Sequence, residues 1–263
     1  MKAKFTLMRA ACAATGAAIA GIFIATIAMN AMRLYNAVRP VEFCIVPLCI
    51  ILAALNMAGG VKSNAEDARR KGEGAGCREV VADRVLLMCA LACTMCADIF
   101  MVLLGGFYPL SLSFFAAAQL LYCARIQLYR RNKKYTAAAL SVRAAASVAL
   151  CVAAVCIMPG NELLGAIAAF YFINLIFNAA EAALLAARGR TKGLLLFALG
   201  LVLFIGCDVC VGLNAGGMAG IKISPAGLYA INILIWVFYF PSQVLLALSS
   251  PLKTIEIGDK NNR

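Results

Sequence analysis

Long apolar runs broken by short polar segments set the pattern of this chain. Apolar windows fall at 11–32, 41–60, 84–104, 107–124, 137–158, 162–186, 193–213 and 226–248. Each is close to the roughly 20 residues that a helix needs to cross a bilayer. The runs lack strict alternation and are too long for strands, and an open sheet edge cannot be satisfied in lipid. The pattern therefore predicts an all-α polytopic membrane protein, a bundle of about eight transmembrane helices. Residues 1–263 are read as a single transmembrane domain.

Composition strengthens this reading. The chain is 64% hydrophobic and only 14% charged, with a mean hydropathy of +0.90. A soluble domain is about 45–50% apolar and about 25% charged. Lys2, Lys4 and Arg9 ahead of an apolar run resemble the start of a signal peptide. The uncharged stretch from Ala11 to Met32 is long enough to span, so a retained first helix is expected.

The net charge of +12 raises the question of nucleic acid, and its distribution answers it. Basic residues cluster between apolar runs. With the N-terminus inside, all but three of the 24 fall in cytoplasmic segments, the exceptions being Arg33, Arg39 and Lys222. That asymmetry is the positive-inside pattern of an integral protein. The expected setting is the cell membrane with both termini cytoplasmic, and no nucleic-acid partner. The 61–84 segment is expected to be a solvated linker, and 125–134, RIQLYRRNKK, could meet anionic lipid. Nothing in the sequence speaks to oligomeric state.

Eleven of the twelve cysteines lie in apolar runs or at their edges; Cys77 sits in a polar segment. Such cysteines act as small hydrophobes rather than as a disulfide framework. Cys93 with Cys96, and Cys207 with Cys210, have a spacing that can bind zinc, but they lie mid-helix rather than on a zinc knuckle. No metal and no cofactor is expected.

A faint internal repeat suggests two related four-helix halves. Asp98 late in the third span precedes Gln119 in the fourth, and Asp208 late in the seventh precedes Gln243 in the eighth.

Of twelve acidic residues, Asp98, Asp208 and Glu181 fall well inside spans. A carboxylate at bilayer depth costs several kcal/mol, so such groups are functional candidates by default. Asp98 and Asp208 each lie about 20 Å of helical rise from the cytoplasmic start of their helices, at one depth in the outer half of the bilayer. Glu181 is expected near the inner interface, snorkelling or paired a turn or two before Arg188.

Polar residues elsewhere follow helical spacing: Ser111, Phe115, Gln119 and Tyr122; Tyr171, Asn174, Asn178 and Glu181; Asn232, Trp236, Tyr239 and Gln243. Each set occupies one face and should point into the bundle. The plainer alternative is that they glue helices together at about 0.6–2 kcal/mol each. The chain has no histidine, Walker loop or GxSxG motif. The evident acid–base groups within the membrane are carboxylates.

The segments CADIFMVLLGGFYPLSLSFFAAAQLLYCARI and GLLLFALGLVLFIGCDVCVGLN…WVFYFPSQVLLALS resemble the YhhN-like lysoplasmalogenase family of eight-helix membrane proteins. Ala97-Asp98, Leu120-Leu121-Tyr122, Asp208 with Asn214, Tyr239 with Gln243, and Arg39-Pro40 carry the resemblance. Gln119 stands where the family usually has His, and Cys207 where it usually has Ser.

The resemblance implies hydrolysis of the vinyl ether of a lysophospholipid to a fatty aldehyde and a glycerophospho-base. That reaction begins with protonation of an alkene carbon, and water then captures the oxocarbenium ion. It needs a carboxyl group that is neutral near pH 7 and an anion to steady the cation, and burial and a neighbouring carboxylate favour such a division. A paired Asp98 and Asp208 would fill both catalytic roles. Arg39 would hold the phosphate, with Gln119, Tyr122, Asn214, Tyr239 and Gln243 around the substrate. Intramembrane carboxylates on four-plus-four helices also suit a non-enzymatic transporter or sensor.

Overall fold

The computed structural model describes residues 2–71, 74–129, 133–189, 191–215 and 222–250. Arg130, Arg131, Arg190, Lys253, Lys260 and Arg263 of the basic clusters lie outside these residues, as does the side chain of Cys77.

The described residues are helical. They comprise α1 (Lys2–Ala31), α2 (Tyr35–Phe43), α3 (Ile45–Lys71), α4 (Gly74–Asp98), a π-helical turn (Ile99–Leu103), α5 (Tyr108–Gln127), α6 (Lys133–Ile157), α7 (Glu162–Gly189), α8 (Lys192–Asn214) and α9 (Pro225–Ala247). Eight stretches are long and apolar enough to cross a membrane, matching the eight windows read from the sequence. The second is built from α2 and α3 together. The helices α3 and α4 run well past their apolar windows into the polar segment expected to be a linker, taking in Cys77. Ala, Glu, Arg and Lys favour helix once water rather than lipid surrounds it.

Local chemistry sets several boundaries. Proline at position 47 has no N–H for the Phe43 carbonyl, and the helix breaks at Cys44 between them. The Cys44 thiol donates instead to the Pro40 carbonyl at 3.2 Å. Thr191 and Ser224 cap α8 and α9, accepting from the backbone N–H of Leu194 at 3.3 Å and Gly227 at 3.1 Å. Gly105, with φ of +62°, turns the chain between the π-helical turn and α5.

The helices α3, α4, α5, α7, α8 and α9 pack in that order around a closed ring, with α9 returning to α3. Helix α1 lies against α2, α3 and α9, and α6 packs on α7 from outside the ring. The spans of α1 and α6 are the least buried, at 11% each, as peripheral helices facing lipid should be. Lipid supplies no hydrophobic drive between helices, so close backbone approach matters. At the α8–α9 contact a Cβ on Gly200 would sit 2.9 Å from Leu246. The two halves of the chain do not form separate bundles: the fourth span, α5, packs directly on α7, and α9 on both α1 and α3.

Candidate active site

The ring interior carries polar groups at two ends and an aromatic block near one of them. Helix α5 shows the layering. Its buried Ser111, Phe115, Gln119, Tyr122 and Arg125 succeed one another every three or four residues and so descend one inward stripe.

At the end where α4 gives way to α5, Asp98 is the last residue of α4, immediately before the π-helical turn. Such turns widen a helix by one residue and re-aim its side chains, often at functional sites. The Ser111 hydroxyl donates to the Ala97 carbonyl at 2.9 Å, fixing α5 against this junction. Asp98 is buried and accepts a 2.6 Å hydrogen bond from the Tyr239 hydroxyl of α9. Asp208 of α8, part-buried, accepts one of 2.5 Å from the Tyr171 hydroxyl of α7. Both bonds go to Oδ2, and no side chain among the described residues bonds either Oδ1.

The aspartates are therefore not hydrogen-bonded to each other. They meet through aromatic rings: Phe204 packs edge-on against Tyr171 at 6.5 Å and against Tyr239 at 5.8 Å. Phe115 lies 5.6 Å from Tyr171 and 5.9 Å from Phe204. Trp236 closes the cluster against Tyr239 at 5.9 Å. Through these tyrosines both carboxyls border one aromatic cluster.

One turn further along α5 and α9 stand Gln119 and Gln243, both fully buried. Gln119 Nε2, both side-chain polar atoms of Gln243, and the hydroxyls of Tyr122 and Ser242 have no hydrogen-bond partner among the described residues. Leaving a buried polar group unpaired costs about 1–3 kcal/mol, and such a cluster is how a polar ligand or water site presents itself. Tyr122 also packs edge-on against Phe197 at 5.4 Å.

The remaining expected substrate residues are at the rim. Arg39 is exposed, with its guanidinium against Gly105, where a Cβ would come within 2.8 Å of Nη1. Asn214 is exposed at the end of α8 and donates to Asn232 Oδ1 at 3.2 Å. Neither bonds the aspartates.

Four buried charges escaped the sequence reading. Arg125 is not a loop residue. Its Nε and Nη2 donate to the two carboxylate oxygens of Asp83 at 2.7 and 3.2 Å, and its Nη1 to Ser249 at 2.7 Å. The Ser250 hydroxyl donates to Asp83 at 2.8 Å, and the Arg125 guanidinium lies 4.9 Å over Phe197. Beyond α5, burial pushes the Tyr129 phenol well above its ordinary range, with the Asp83 charge adding to this. Arg143 on α6 is buried too and ion-pairs with Glu181 at 3.3 Å, and Gln127 Nε2 donates to the other oxygen of Glu181 at 3.4 Å. Glu42 is buried and accepts from Asn30 at 2.8 Å. Helical register held the signal for Arg125, three residues beyond Tyr122 on the same stripe.

No disulfide joins the described cysteines, and no group of three metal-ligating side chains occurs among the described residues. A family model described as the YhhN family matches residues 75–250, the segment that holds both aspartates, both tyrosines and both glutamines of the ring. No curated protein and no solved structure matches the chain.

Proposed function

The chain belongs to the YhhN family, and from that membership we propose that it is a lysoplasmalogenase-like hydrolase. It would cleave the vinyl ether of a lysoplasmalogen into a fatty aldehyde and a glycerophospho-base. The observation that carries this reading is the pair of membrane-depth carboxyls, Asp98 and Asp208, each held by a tyrosine hydroxyl around one aromatic cluster.

The chemistry asks for two carboxyls in different states. A neutral carboxyl delivers its proton to the vinyl carbon farther from the ether oxygen, and that oxygen supplies electrons to form an oxocarbenium ion. An anionic carboxylate steadies that cation. Water adds to the cationic carbon and returns a proton to the first carboxylate. The hemiacetal then collapses, breaking the carbon–oxygen bond to release aldehyde and the glycerol hydroxyl. Each tyrosine fixes its aspartate through Oδ2 and leaves Oδ1 to meet the substrate. Phe204, Phe115 and Trp236 give the alkenyl chain an apolar bed, and aromatic faces also attract a developing cation.

In this reading both termini are cytoplasmic, the whole chain is one transmembrane domain of the cell membrane, and the lipid enters from the aspartate end. Arg39 at that rim suits the substrate phosphate. The unpartnered amides of Gln119 and Gln243, with Tyr122, suit the glycerol portion and the hydrolytic water.

The test is direct. Purified protein in nanodiscs is given 1-alkenyl lysophosphatidylethanolamine and lysophosphatidylcholine, and aldehyde is followed with a coupled alcohol dehydrogenase. Steady aldehyde release is expected. No release from either lipid would end the hydrolase reading and leave a transporter or sensor in its place.

A further inference from the structure

Arg143 stands on α6, outside the ring, yet its guanidinium is buried against a stripe of α7. It donates through Nη1 to Asn178 Oδ1 at 2.8 Å and lies 3.5 Å from Asn174 Oδ1. Its Nη2 is 3.3 Å from Glu181, and the group lies 5.4 Å over Phe177. Glu181 balances its charge, so the cation is stably buried rather than waiting for an anion.

The consequence reaches the ring interior. A guanidinium can only donate, so Asn178 must turn its oxygen to Arg143. Its amide nitrogen then points the other way. It donates to the Gln119 backbone carbonyl at 2.8 Å and to Gln119 Oε1 at 3.0 Å. With Oε1 committed as acceptor, Gln119 has one sense left, and its Nε2 points away from Asn178 as a donor. That Nε2 is fully buried and has no partner among the described residues. The direction of one amide in the ring is thus set through one asparagine, whose oxygen is held by an arginine on a peripheral helix and whose nitrogen is held by the Gln119 backbone carbonyl.

We propose that Arg143 and Asn178 are positioning residues that hold the Gln119 amide as a hydrogen-bond donor to an oxygen of the bound lipid's glycerol backbone. The lipid half rests on the hydrolase reading above; the relay rests on geometry alone. Gln119 lies one turn along α5 from Phe115, whose ring touches Tyr171 and Phe204 beside the aspartates, a rise of about 6 Å. The sn-2 hydroxyl of a lysoplasmalogen lies at a comparable reach from its vinyl carbons. A neutral donor suits such an oxygen, whereas the phosphate calls for a cation.

The relay is read first, without ligand. The glutamines of this chain are Gln119, Gln127 and Gln243, so selective 15N labelling gives a side-chain amide spectrum simple enough to assign. Loss of a signal in Gln119→Glu identifies the Gln119 pair. In Asn178→Asp the carboxylate still accepts from Arg143 but cannot donate, so the Gln119 amide must turn and donate to it. A clear downfield shift of that pair is expected. Arg143→Lys, which still only donates, should keep the wild-type signal, whereas Arg143→Met leaves Asn178 held at its nitrogen end alone and should shift or broaden it. Unchanged Gln119 signals in both Asn178→Asp and Arg143→Met would overturn the relay.

The ligand is read second, by quenching of Trp236, the sole tryptophan, which packs on Tyr239. The probes are a non-hydrolysable 1-O-hexadecyl lysophosphatidylcholine and its 2-deoxy counterpart. Asn178→Asp should weaken the hydroxyl-bearing probe about tenfold and leave the 2-deoxy probe unchanged. Equal weakening of both assigns the donor to the ether oxygen and still supports a glycerol-backbone contact. Equal affinities of wild type and Asn178→Asp for both probes would overturn it. Binding of neither probe by the wild type would strike the hydrolase reading and the lipid contact together, with the amide spectra still deciding the relay.

Discussion

Tyr239 on α9 donates a hydrogen bond of 2.6 Å to Asp98 on α4. The two helices stand on different arcs of the ring, so the bond ties its interior together where α4 turns into the π-helical segment. Tyr171 does the same for Asp208 between the neighbouring α7 and α8. Phe204 then stands between the tyrosine rings. A pair of carboxyls in direct contact would share one proton; here each has its own donor. The two groups can hold different protonation states and still serve one substrate.

That arrangement predicts the effect of isosteric changes. Asp98→Asn and Asp208→Asn keep the shape of the side chain and an acceptor for the tyrosine, so folding should persist. Each should lower vinyl ether cleavage by about 100-fold or more, the usual weight of a positioned acid or charge stabiliser. The double variant should be little worse than either single one, since groups acting as a unit are non-additive. Aldehyde release by all three, normalised to folded protein, is the measurement. Full activity in either single variant would remove the mechanism.

The tyrosines should matter through their hydroxyls alone. Phenylalanine at 239 or 171 keeps the packing on Phe204 and removes the bond to the carboxyl. A hydrogen bond to a charged group contributes about 1.5–3 kcal/mol, so Tyr239→Phe and Tyr171→Phe should each lower kcat about 10- to 100-fold. Melting temperatures in detergent should change little. A large loss of stability with normal kcat would make these bonds structural.

How much of this was readable in advance follows from where each residue sits. The eight spans were legible because hydropathy tracks lipid contact along a whole helix. The stripes through Gln119 and Asn178 were legible because spacing fixes a helix face, and both residues are fully buried. Arg125, Arg143 and Asp83 were not. Asp83 and Arg125 lie just outside apolar windows, where a charge reads as loop, while their helices continue past the window and carry them inside; Arg143 lies within its window but counted there only toward the charge asymmetry. The pairing of Asp98 with Tyr239 was beyond reach for a different reason: it depends on the order of helices around the ring, which local sequence does not encode. The suggested repeat finds no counterpart in the polar contacts. Asp98 bonds a tyrosine of the last span, whereas Asp208 bonds one from the span just before it.

The charge asymmetry carries its own test. Reporters fused after residues 70, 132 and 190 should read cytoplasmic, and those near 106 and 218 external, because basic segments stay inside. The reversed pattern would turn the aspartate end toward the cytoplasm and change which leaflet supplies the lipid.

The far end of the ring tests whether its buried charges hold the bundle together. Arg125 is fully buried, with Asp83 against its fork and Ser249 on its remaining nitrogen. Through Ser249 and Ser250 the cluster fixes the chain just beyond α9, and through Phe197 it touches α8. Removing one partner strands the other charge away from water, at about 3–5 kcal/mol. Asp83→Leu and Arg125→Met should therefore each lower the melting temperature sharply. Replacing both partners by apolar residues strands no charge and costs only the bonds to the Ser249 and Ser250 hydroxyls, since a buried pair exchanged for packed side chains is often neutral or better. Asp83→Leu with Arg125→Met should accordingly recover most of the loss seen in Arg125→Met. The measurement is a double-mutant cycle of thermal unfolding, followed by Trp236 fluorescence in detergent. Additive losses would show that the two charges do not depend on each other, and that the ring closes at this end by apolar packing alone.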